Sequence, residues 1–236
     1  MTTILETQGL TKRFGGAQVI NGIDFRIDAG EVRCVIGPNG AGKSTFFKLL
    51  TGEHQPSSGS VMFLGESLNG VLPHQRIQMG MSIKFQIPGV FPELTAREHL
   101  KLALHMGRDD HPNAIRQMLA DFRLEGEADV QAAHLSHGKK QWLEIAMAVA
   151  LKPKLLFLDE PVAGMSAEET HATGELVLSL RERGLTIMVV EHDMTFVKQI
   201  ASTVTVLHGG RVFAQGSLGD ILARDDVADI YLGKQS

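Results

Sequence analysis

The chain has 236 residues, of which 43% are hydrophobic and 21% are charged, the composition of an ordinary globular protein with a sizeable core. Its net charge of −4 gives no basic footprint for nucleic acid, and no apolar run approaches the roughly 18 residues of a membrane span. One cysteine excludes an internal disulfide, and the first residues lack the basic and apolar regions of a signal peptide. We expect one domain, or a domain with a subdomain, in the cytosol.

Residues 4–36 alternate short apolar runs with turn signals, which predicts an antiparallel edge leading into a larger core. Residues 23–27 alternate strictly between apolar and polar and predict a half-exposed strand. Phe14, just before Gly15 and Gly16, either packs in the core or offers a face on which an adenine ring stacks. Cys34 lies in the apolar run 32–36, where it is expected to be a small core residue of a buried strand.

A glycine loop joins this buried strand to a helical pattern that begins at Thr45. It reads Gly37-Pro38-Asn39-Gly40-Ala41-Gly42-Lys43-Ser44, a Gly and four residues followed by Gly-Lys-Ser. A strand that feeds a helix through glycines directs successive backbone N–H groups, and the positive end of the helix dipole, into one concavity. The loop therefore predicts a polyphosphate site, in which Lys43 contacts the β- and γ-phosphates and the Ser44 hydroxyl ligates Mg²⁺.

The middle of the chain is predicted to be largely helical. Residues 52–65 indicate a loop with a short strand, and Gln86 follows a further apolar strand, where its residue type alone indicates only a solvated strand end. From residue 91 to about 151 the pattern is helical: Thr95 and Glu98 form a capping box, and apolar residues at 115–122 follow helical spacing. We expect this insert to act as a lever or as a docking surface for a partner, and the alternative is that it only packs against the core. Residues 126–133 are expected to form a polar linker.

Ser136 is the expected N-cap of a helix with an apolar face around Trp142, which gives a second helix N-terminus able to hold an anion. Most Ser caps are purely structural. A second capping box, Ser166 with Glu169, begins a helix that ends near Gly184. A hairpin over residues 204–214 and a polar helix are expected to complete the chain.

Two acids follow the continuous apolar run at residues 155–158, which is typical of a central parallel strand. Ligand groups of open α/β sheets gather at the carboxyl ends of strands, so Asp159 and Glu160 are expected to meet the glycine loop. Asp159 would then hold Mg²⁺ through water and Glu160 would orient or deprotonate the attacking water, whereas the alternative is a solvated turn. His192 follows the next apolar strand, 186–190, and would lie beside the γ-phosphate if the two strands are neighbours.

These motifs, in this order, resemble those of the ATP-binding cassette (ABC) ATPases, and the resemblance covers the whole chain. It implies an α/β fold: a P-loop NTPase core with a mostly parallel sheet, an antiparallel β subdomain and an α-helical insert. It also implies a single ABC ATPase domain over residues 1–236. The nucleotide-binding core would comprise residues 1–86 and 152–236, and the helical subdomain residues 87–151.

The same resemblance implies roles for particular residues, with ATP and Mg²⁺ as cofactors. Phe14 corresponds to the adenine-stacking aromatic, and Ser136 and Gly138 to the signature that meets the γ-phosphate of ATP on the opposite subunit. Gln86 corresponds to the glutamine that senses Mg²⁺ and the transporter, and His192 to the switch histidine. The implied catalytic residues are Lys43, Glu160 and His192. The residues implied to bind Mg²⁺ are Ser44, Gln86 and Asp159. The remaining nucleotide contacts come from residues 37–45, including Thr45.

The chain departs from the family pattern at two places. His137 and Lys139 replace a Gly and the Gln of the usual Leu-Ser-Gly-Gly-Gln signature. Residues 163–166 read Ala-Gly-Met-Ser in place of Ser-Ala-Leu-Asp, so the Asp of the usual contact across the dimer is missing. Both variants, together with the ending at 230–233, resemble the ATPases of urea-type importers within the branched-chain amino acid importer group.

The implied function is ATP hydrolysis that drives uptake of a small polar solute, of urea/amide or branched-chain amino acid type, through separate membrane subunits. The implied partners are a second ABC ATPase subunit, identical or different, in a head-to-tail dimer, two transmembrane permease subunits and, indirectly, a solute-binding protein, with no nucleic acid. The implied location is the cytoplasmic face of the membrane.

Three alternatives stand beside this function. One is the ATPase of a lipid-component exporter. Another is a soluble ABC ATPase acting on nucleic acid or ribosomes, which predicts a second cassette, a coiled-coil insert or a basic arm. The third is a regulatory nucleotide-binding protein without turnover, which predicts the loss of Lys43 or Glu160.

Overall fold

The computed structural model describes residues 2–84, 89–109, 111 and 113–232. Its strands, in chain order β1 to β10, are Thr3–Phe14, Ala17–Asp28, Val32–Ile36, Ser58–Phe63, Glu66–Ser67, Met81–Lys84, Leu155–Asp159, Thr186–Val190, Thr203–His208 and Arg211–Gly216. Its α-helices, α1 to α9, are Lys43–Thr51, Pro73–Gln78, Ala96–Met106, Ala114–Asp121, His137–Ala150, Ala167–Glu182, Met194–Ile200, Leu218–Leu222 and Asp225–Leu232.

The strands form two sheets. A six-stranded sheet has the order β10-β9-β3-β8-β7-β6, in which β10 is antiparallel to β9 and the other neighbours are parallel. A four-stranded antiparallel sheet has the order β2-β1-β4-β5. The predicted α/β fold, with a mostly parallel sheet, an antiparallel β subdomain and a helical insert between β6 and β7, is confirmed.

Burial explains why the central strands are so uniformly apolar. Every residue of β3 and β8, and all of β7 except its last residue, is buried, as expected for parallel strands that are covered on both faces. By contrast, β2 alternates over residues 22–27 between exposed and buried side chains, as its sequence predicts. The two kinds of strand therefore follow from which faces the helices cover.

Three helix starts predicted from capping residues are confirmed. The hydroxyl oxygens of Thr95, Ser136 and Ser166 each accept a hydrogen bond from a backbone N–H of the first turn, at 3.2 Å in each case. These bonds satisfy N–H groups that the helix itself leaves unpaired. The caps fix where α3, α5 and α6 begin.

Two segments differ from the sequence prediction. Helix α2 was not predicted, because six residues are too short to show a full amphipathic period. The expected linker at 126–133 contains parts of two short 3₁₀ helices, Glu125–Glu127 and Ala132–His134, and buries Ala128 and Ala132. Small apolar residues can be buried in a segment whose overall composition is polar.

The helices of the insert share a hydrophobic core with the large sheet. Leu100 of α3, Leu119 of α4 and Leu143 of α5 belong to the same cluster as Leu156 and Val189 of the sheet. The proposed division of the chain at residues 86/87 falls outside the described residues. The assignment of residues 87–151 to a subdomain remains a prediction.

Arg76 of α2 holds the end of helix α1 in place. It is 1% exposed, and its guanidinium donates hydrogen bonds to the carbonyls of Leu49 and Leu50 at 3.0 and 2.7 Å, and to those of Leu68 and Val71 at 2.8 and 3.1 Å. Carbonyls at the C-terminal end of a helix carry partial negative charge, which favours a cation there. Burial lowers the pKa of Arg76 to about 10.

We predict that Arg76→Met lowers the free energy of unfolding by about 3 kcal/mol, because four main-chain carbonyls, three of them in buried hydrogen bonds, lose a charged donor. Urea denaturation measures this difference. The matched control is Arg116→Met, at an exposed position of α4, for which a change within about 0.5 kcal/mol is expected. Equal stability of the two variants would contradict the role of Arg76.

Candidate nucleotide site

The parallel register brings three strand ends to one edge of the large sheet. Val190 of β8 pairs with Val35 of β3 on one side and with Asp159 of β7 on the other. Beyond the strands, the Glu191 N–H donates to the carbonyl of Val35 at 3.2 Å, and the Glu160 N–H donates to the carbonyl of Val190 at 2.9 Å. The glycine loop, the two acids and the segment of His192 thus leave the sheet side by side, with the His192 strand adjacent to the strand of the acids as the sequence argument required.

The glycine loop lies between β3 and α1 in a conformation that depends on its glycines. Gly37, Gly40 and Gly42 have φ values of 153°, 79° and 100°, which side chains rarely adopt. At Gly37 a Cβ would also clash with the carbonyl of Leu207. Gly42 is the N-cap of α1 and provides no side-chain cap. The first N–H groups of α1 are therefore left for another acceptor, as in helix termini that bind anions.

The side chain of Lys43 folds back over the loop. Its Nζ donates hydrogen bonds to the carbonyls of Gly37 and Pro38 at 2.6 and 3.1 Å. Burial lowers the pKa of Lys43, while the charges of Glu160 and Asp159 act in the opposite direction. Ser44 and Thr45, the next residues of α1, are exposed and half-buried. The loop thus presents a cation, a hydroxyl and backbone donors together, which suits a polyphosphate.

The two acids at the end of β7 have different surroundings. Burial, and then the neighbouring charge of Glu160, raise the pKa of Asp159 to about 6, with a smaller opposing effect of Lys84. Glu160 has a φ of 44°, an uncommon value for a residue with a side chain. Such conformations persist where surrounding structure enforces them, and they cluster at functional sites.

His192 and Glu160 face each other across the strand ends. His192 Nδ1 lies 3.5 Å from Oε1 of Glu160 and 3.6 Å from Oε2 of Glu191, and the imidazole is largely exposed. The structure therefore brings Lys43, Asp159, Glu160 and His192 to one region, as the sequence predicts. At this location a histidine can hold the carboxylate of Glu160 and still reach a ligand at the glycine loop.

Glu191 is a residue whose part in the site the sequence analysis did not identify. Its buried carboxylate accepts hydrogen bonds from the N–H groups of His192, at 2.7 Å, and Asp193, at 3.1 Å, and from the N–H of Val162, at 3.4 Å. It thereby joins the turn after Glu160 to the turn that carries His192. In the sequence, the only sign of this role is that an acid directly follows a buried strand. The sequence does not show that the N–H of Val162 lies close enough to bond to this carboxylate.

Ser136 and Gly138 lie at the start of α5, and within the described residues neither makes a hydrogen bond to the glycine loop. His137 Nε2 forms a hydrogen bond of 2.9 Å with the carbonyl of Ala163. A side chain at Gly138 would clash with the carboxylate of Glu169. The N-terminus of α5 is thus fixed against the turn that follows the acids.

Lys139, which replaces the usual signature glutamine, is held by its own insert. Its Nζ donates to the carbonyl of Arg123, lies 3.2 Å from Oε2 of Glu127 and stands 5.2 Å from the ring centroid of Trp142. The ammonium of Lys139 thus has hydrogen-bond and charge partners within the chain, and these contacts stabilise the helical insert.

Phe14 lies at the end of β1 and is 43% exposed, so its ring is not a core residue. Lys12 Nζ stands 5.0 Å from the ring centroid, and the His54 ring meets Phe14 edge-on at 5.2 Å. An exposed aromatic face of this kind fits stacking on a base. Gln86, the remaining predicted contact, lies outside the described residues.

The donors present fit Mg²⁺. The Ser44 hydroxyl and the Asp159 carboxylate are oxygen ligands, which this cation prefers. No group of three or more His, Cys, Asp or Glu side chains suited to a metal occurs among the residues that the structure describes.

The fold and this site define an ABC ATPase. A model of the ABC transporter family matches residues 20–163, and the chain belongs to that family. Among known relatives, the high-affinity branched-chain amino acid transport ATP-binding protein BraF of Pseudomonas aeruginosa is 36% identical, over 98% of both chains. The corresponding protein LivG of Escherichia coli is 32% identical, also over 98% of both chains.

Solved structures agree with this classification. A nucleotide-free ATP-binding cassette of an ABC transporter superimposes with a TM-score of 0.88 at 27% identity, covering 99% of this chain and 100% of the other. The ADP conformation of MJ1267, another such cassette, gives 0.88 at 28% identity with the same coverage. The chain is a nucleotide-binding ATPase of this family, as predicted. Within the described part of the chain, no helix has the length and apolar character needed to span a bilayer.

We predict that Asp159→Asn raises the melting temperature of the nucleotide-free protein by about 2–4 °C at pH 7.5 in EDTA. The folded-state pKa of about 6 exceeds the ordinary value, so the folded state binds more protons than the unfolded state between about pH 4 and 6. The contribution of Asp159 to the free energy of unfolding therefore falls as the pH rises through this window. The Asp159→Asn variant has no ionisable group at this position and does not lose that stability.

Melting curves from pH 4 to 8 test this prediction: the gain of Asp159→Asn should shrink toward pH 4. Asp129→Asn is the control, because Arg97 lowers the pKa of this exposed acid and no gain is expected. A gain that is equal at all pH values would contradict the assignment to the Asp159 charge.

Proposed function

We propose that this chain is the ATP-hydrolysing subunit of an importer that takes up a small polar solute through separate membrane subunits. The solute class is that of branched-chain amino acids or of urea and amides. The observation that supports ATP hydrolysis most directly is that one edge of the sheet brings together four side chains, those of Lys43, Asp159, Glu160 and His192. The chain is also similar over nearly its whole length to proteins of branched-chain amino acid transport, which supports the solute class.

The triphosphate binds at the glycine loop. Backbone N–H groups of residues 37–45 donate to its oxygens, and Lys43 exchanges the carbonyls of Gly37 and Pro38 for the β- and γ-phosphates. Ser44, Asp159 and Gln86 would hold Mg²⁺, which neutralises phosphate charge when bound. Phe14 stacks on the adenine.

Glu160 orients the attacking water and accepts its proton. The water oxygen forms a bond to the γ-phosphorus while the bond from that phosphorus to the bridging oxygen of ADP breaks, giving ADP and phosphate. His192, 3.5 Å from Glu160, keeps the carboxylate in place and donates to the γ-phosphate. Glu191 holds the backbone of both turns through its three accepted hydrogen bonds.

The site is completed by a second ATPase subunit, identical or different, in a head-to-tail dimer. Ser136 and Gly138 make no hydrogen bond to their own glycine loop among the described residues, and they are assigned to the γ-phosphate bound by the partner. ATP closes the dimer because both subunits contact it, and hydrolysis removes the bridge.

The membrane partners are two permease subunits, with a solute-binding protein acting indirectly, and the chain works on the cytoplasmic face of the membrane. The proposed docking surface is the helical insert with the segment that follows Gln86. Phe91, Leu102 and Met106 are 57%, 50% and 72% exposed on this part of the chain. Leu102 and Met106 lie one turn apart on α3, so this helix presents apolar side chains on one exposed face, as interaction sites do. Nucleic acid is not a proposed partner.

We predict that Glu160→Gln binds ATP with an affinity within about threefold of wild type but hydrolyses it at least about 100-fold more slowly, since the amide cannot accept a proton. The variant should also dimerise on ATP more readily, because the bridging γ-phosphate persists. Phosphate release and sedimentation measure the two effects.

The control is Glu182→Gln, at an exposed position near the end of α6, which should retain wild-type turnover. Retained turnover in Glu160→Gln would show that another group accepts the proton. The wild-type chain tests the alternative of a regulatory protein without turnover. Such a protein would bind ATP without releasing phosphate.

A further inference from the structure

We propose that Lys84 and Glu144 are positioning residues for ATP hydrolysis, which link helix α5 of the insert to the peptide unit that carries Glu160. Lys84 is the last residue of β6, and Glu144 lies in the middle of α5. The inference rests on the proposed function, because it assumes that Glu160 acts on the attacking water.

The ammonium of Lys84 is buried beside the catalytic strand. The residue is 1% exposed, and its Nζ donates a hydrogen bond of 3.4 Å to the main-chain carbonyl of Asp159. Burying a charge at the end of a strand is costly, and an apolar side chain of the same length would fill the space without that cost. Here the cost is offset in part by the hydrogen bond to the peptide that leads into Glu160, so the buried ammonium acts directly on the position of that peptide.

The peptide between Asp159 and Glu160 is held on both sides. Its carbonyl accepts from Lys84, and its N–H donates to the carbonyl of Val190 at 2.9 Å. This peptide leads directly into Glu160, whose φ of 44° is unfavourable for a side-chain-bearing residue and persists only where the surroundings enforce it. The hydrogen bond from Lys84 is one of the contacts that hold this conformation.

Glu144 carries the compensating charge from the insert. One of its oxygens accepts a hydrogen bond from the N–H of Gly89, while Oε2 is buried and has no hydrogen-bond partner among the residues that the structure describes. Burial raises the pKa of Glu144, and the charge of Lys84 opposes this effect. Helix α5 packs against β6, the strand that ends at Lys84, and Glu144 of this helix also contacts Gly89.

Other charged groups also face the ammonium. Burial lowers the pKa of Lys84, and the carboxylates of Glu144, Asp159, Glu191 and Glu160 oppose this effect in that order. Three of these belong to the strand ends of the site, and only Glu144 comes from the insert. A displacement of α5 consequently changes the field at Lys84 and, through its hydrogen bond, the position of Glu160.

The test is Lys84→Met in the full chain, with kcat and KM for ATP measured separately. Misplacement of Glu160 should lower kcat about 10- to 100-fold and leave KM within about threefold, since the phosphate contacts at the glycine loop are unchanged. Lys154→Met, at an exposed position before the opposite end of β7, is the control and should keep both values. A wild-type kcat for Lys84→Met overturns the proposal.

A double variant separates positioning from stability. Lys84→Met with Glu144→Gln removes both buried charges, and such neutral replacement commonly restores stability that a single change loses. If Lys84 serves only the fold, the double variant should recover both the melting temperature and kcat. If Lys84 positions Glu160, the melting temperature should recover while kcat stays at least about tenfold low.

If Lys84→Met alone does not fold, the kcat of the double variant decides the question. A wild-type kcat of the double variant would overturn the proposal, and a low kcat would support it. Failure of this proposal and failure of the proposed function give different results. Retained hydrolysis in Glu160→Gln would remove the role of Glu160, whereas unaffected Lys84 variants together with an inactive Glu160→Gln would remove only the role of Lys84.

Discussion

The parallel pairing of β3, β8 and β7 is the constraint on which the site depends. Because neighbouring strands run in the same direction and in fixed register, their carboxyl ends coincide, and Val190 pairs with both Val35 and Asp159. Backbone hydrogen bonds continue past the strand ends to Glu160 and Glu191, so the sheet itself positions the residues that we propose to act on ATP. The buried apolar strands are thus needed both for the core and for the geometry of the site.

Buried charged groups connect separate parts of the fold. Glu191 joins the turn after Glu160 to that of His192, and Lys84 joins β6 to the peptide before Glu160. Arg76 fixes the far end of α1, the helix that the glycine loop begins. Each group is costly to bury, and each has at least one main-chain hydrogen-bond partner in a different segment of the chain.

The sequence analysis predicted those features that are local. Caps such as Ser166 with Glu169, the glycine loop and the buried strands each carry their signal within a few residues, and the family's ordered motifs supplied the rest of the site. It did not identify the parts played by Lys84, Glu191 and Arg76, because a charged residue is ordinarily exposed and only tertiary neighbours show otherwise. It recognised the departures at His137 and Lys139, whereas their bonds to Ala163 and Arg123 required the structure.

The central claim is that this ATPase drives a transporter, and purification of the tagged chain from its native membrane in mild detergent tests it most directly. The account predicts recovery of two polytopic membrane subunits together with a cassette subunit, either a second copy of this chain or a different one. The identity of the solute-binding protein associated with that complex would then define the solute. Recovery of soluble partners alone, ribosomal or DNA-associated, would contradict the transport function and leave only the ATPase chemistry.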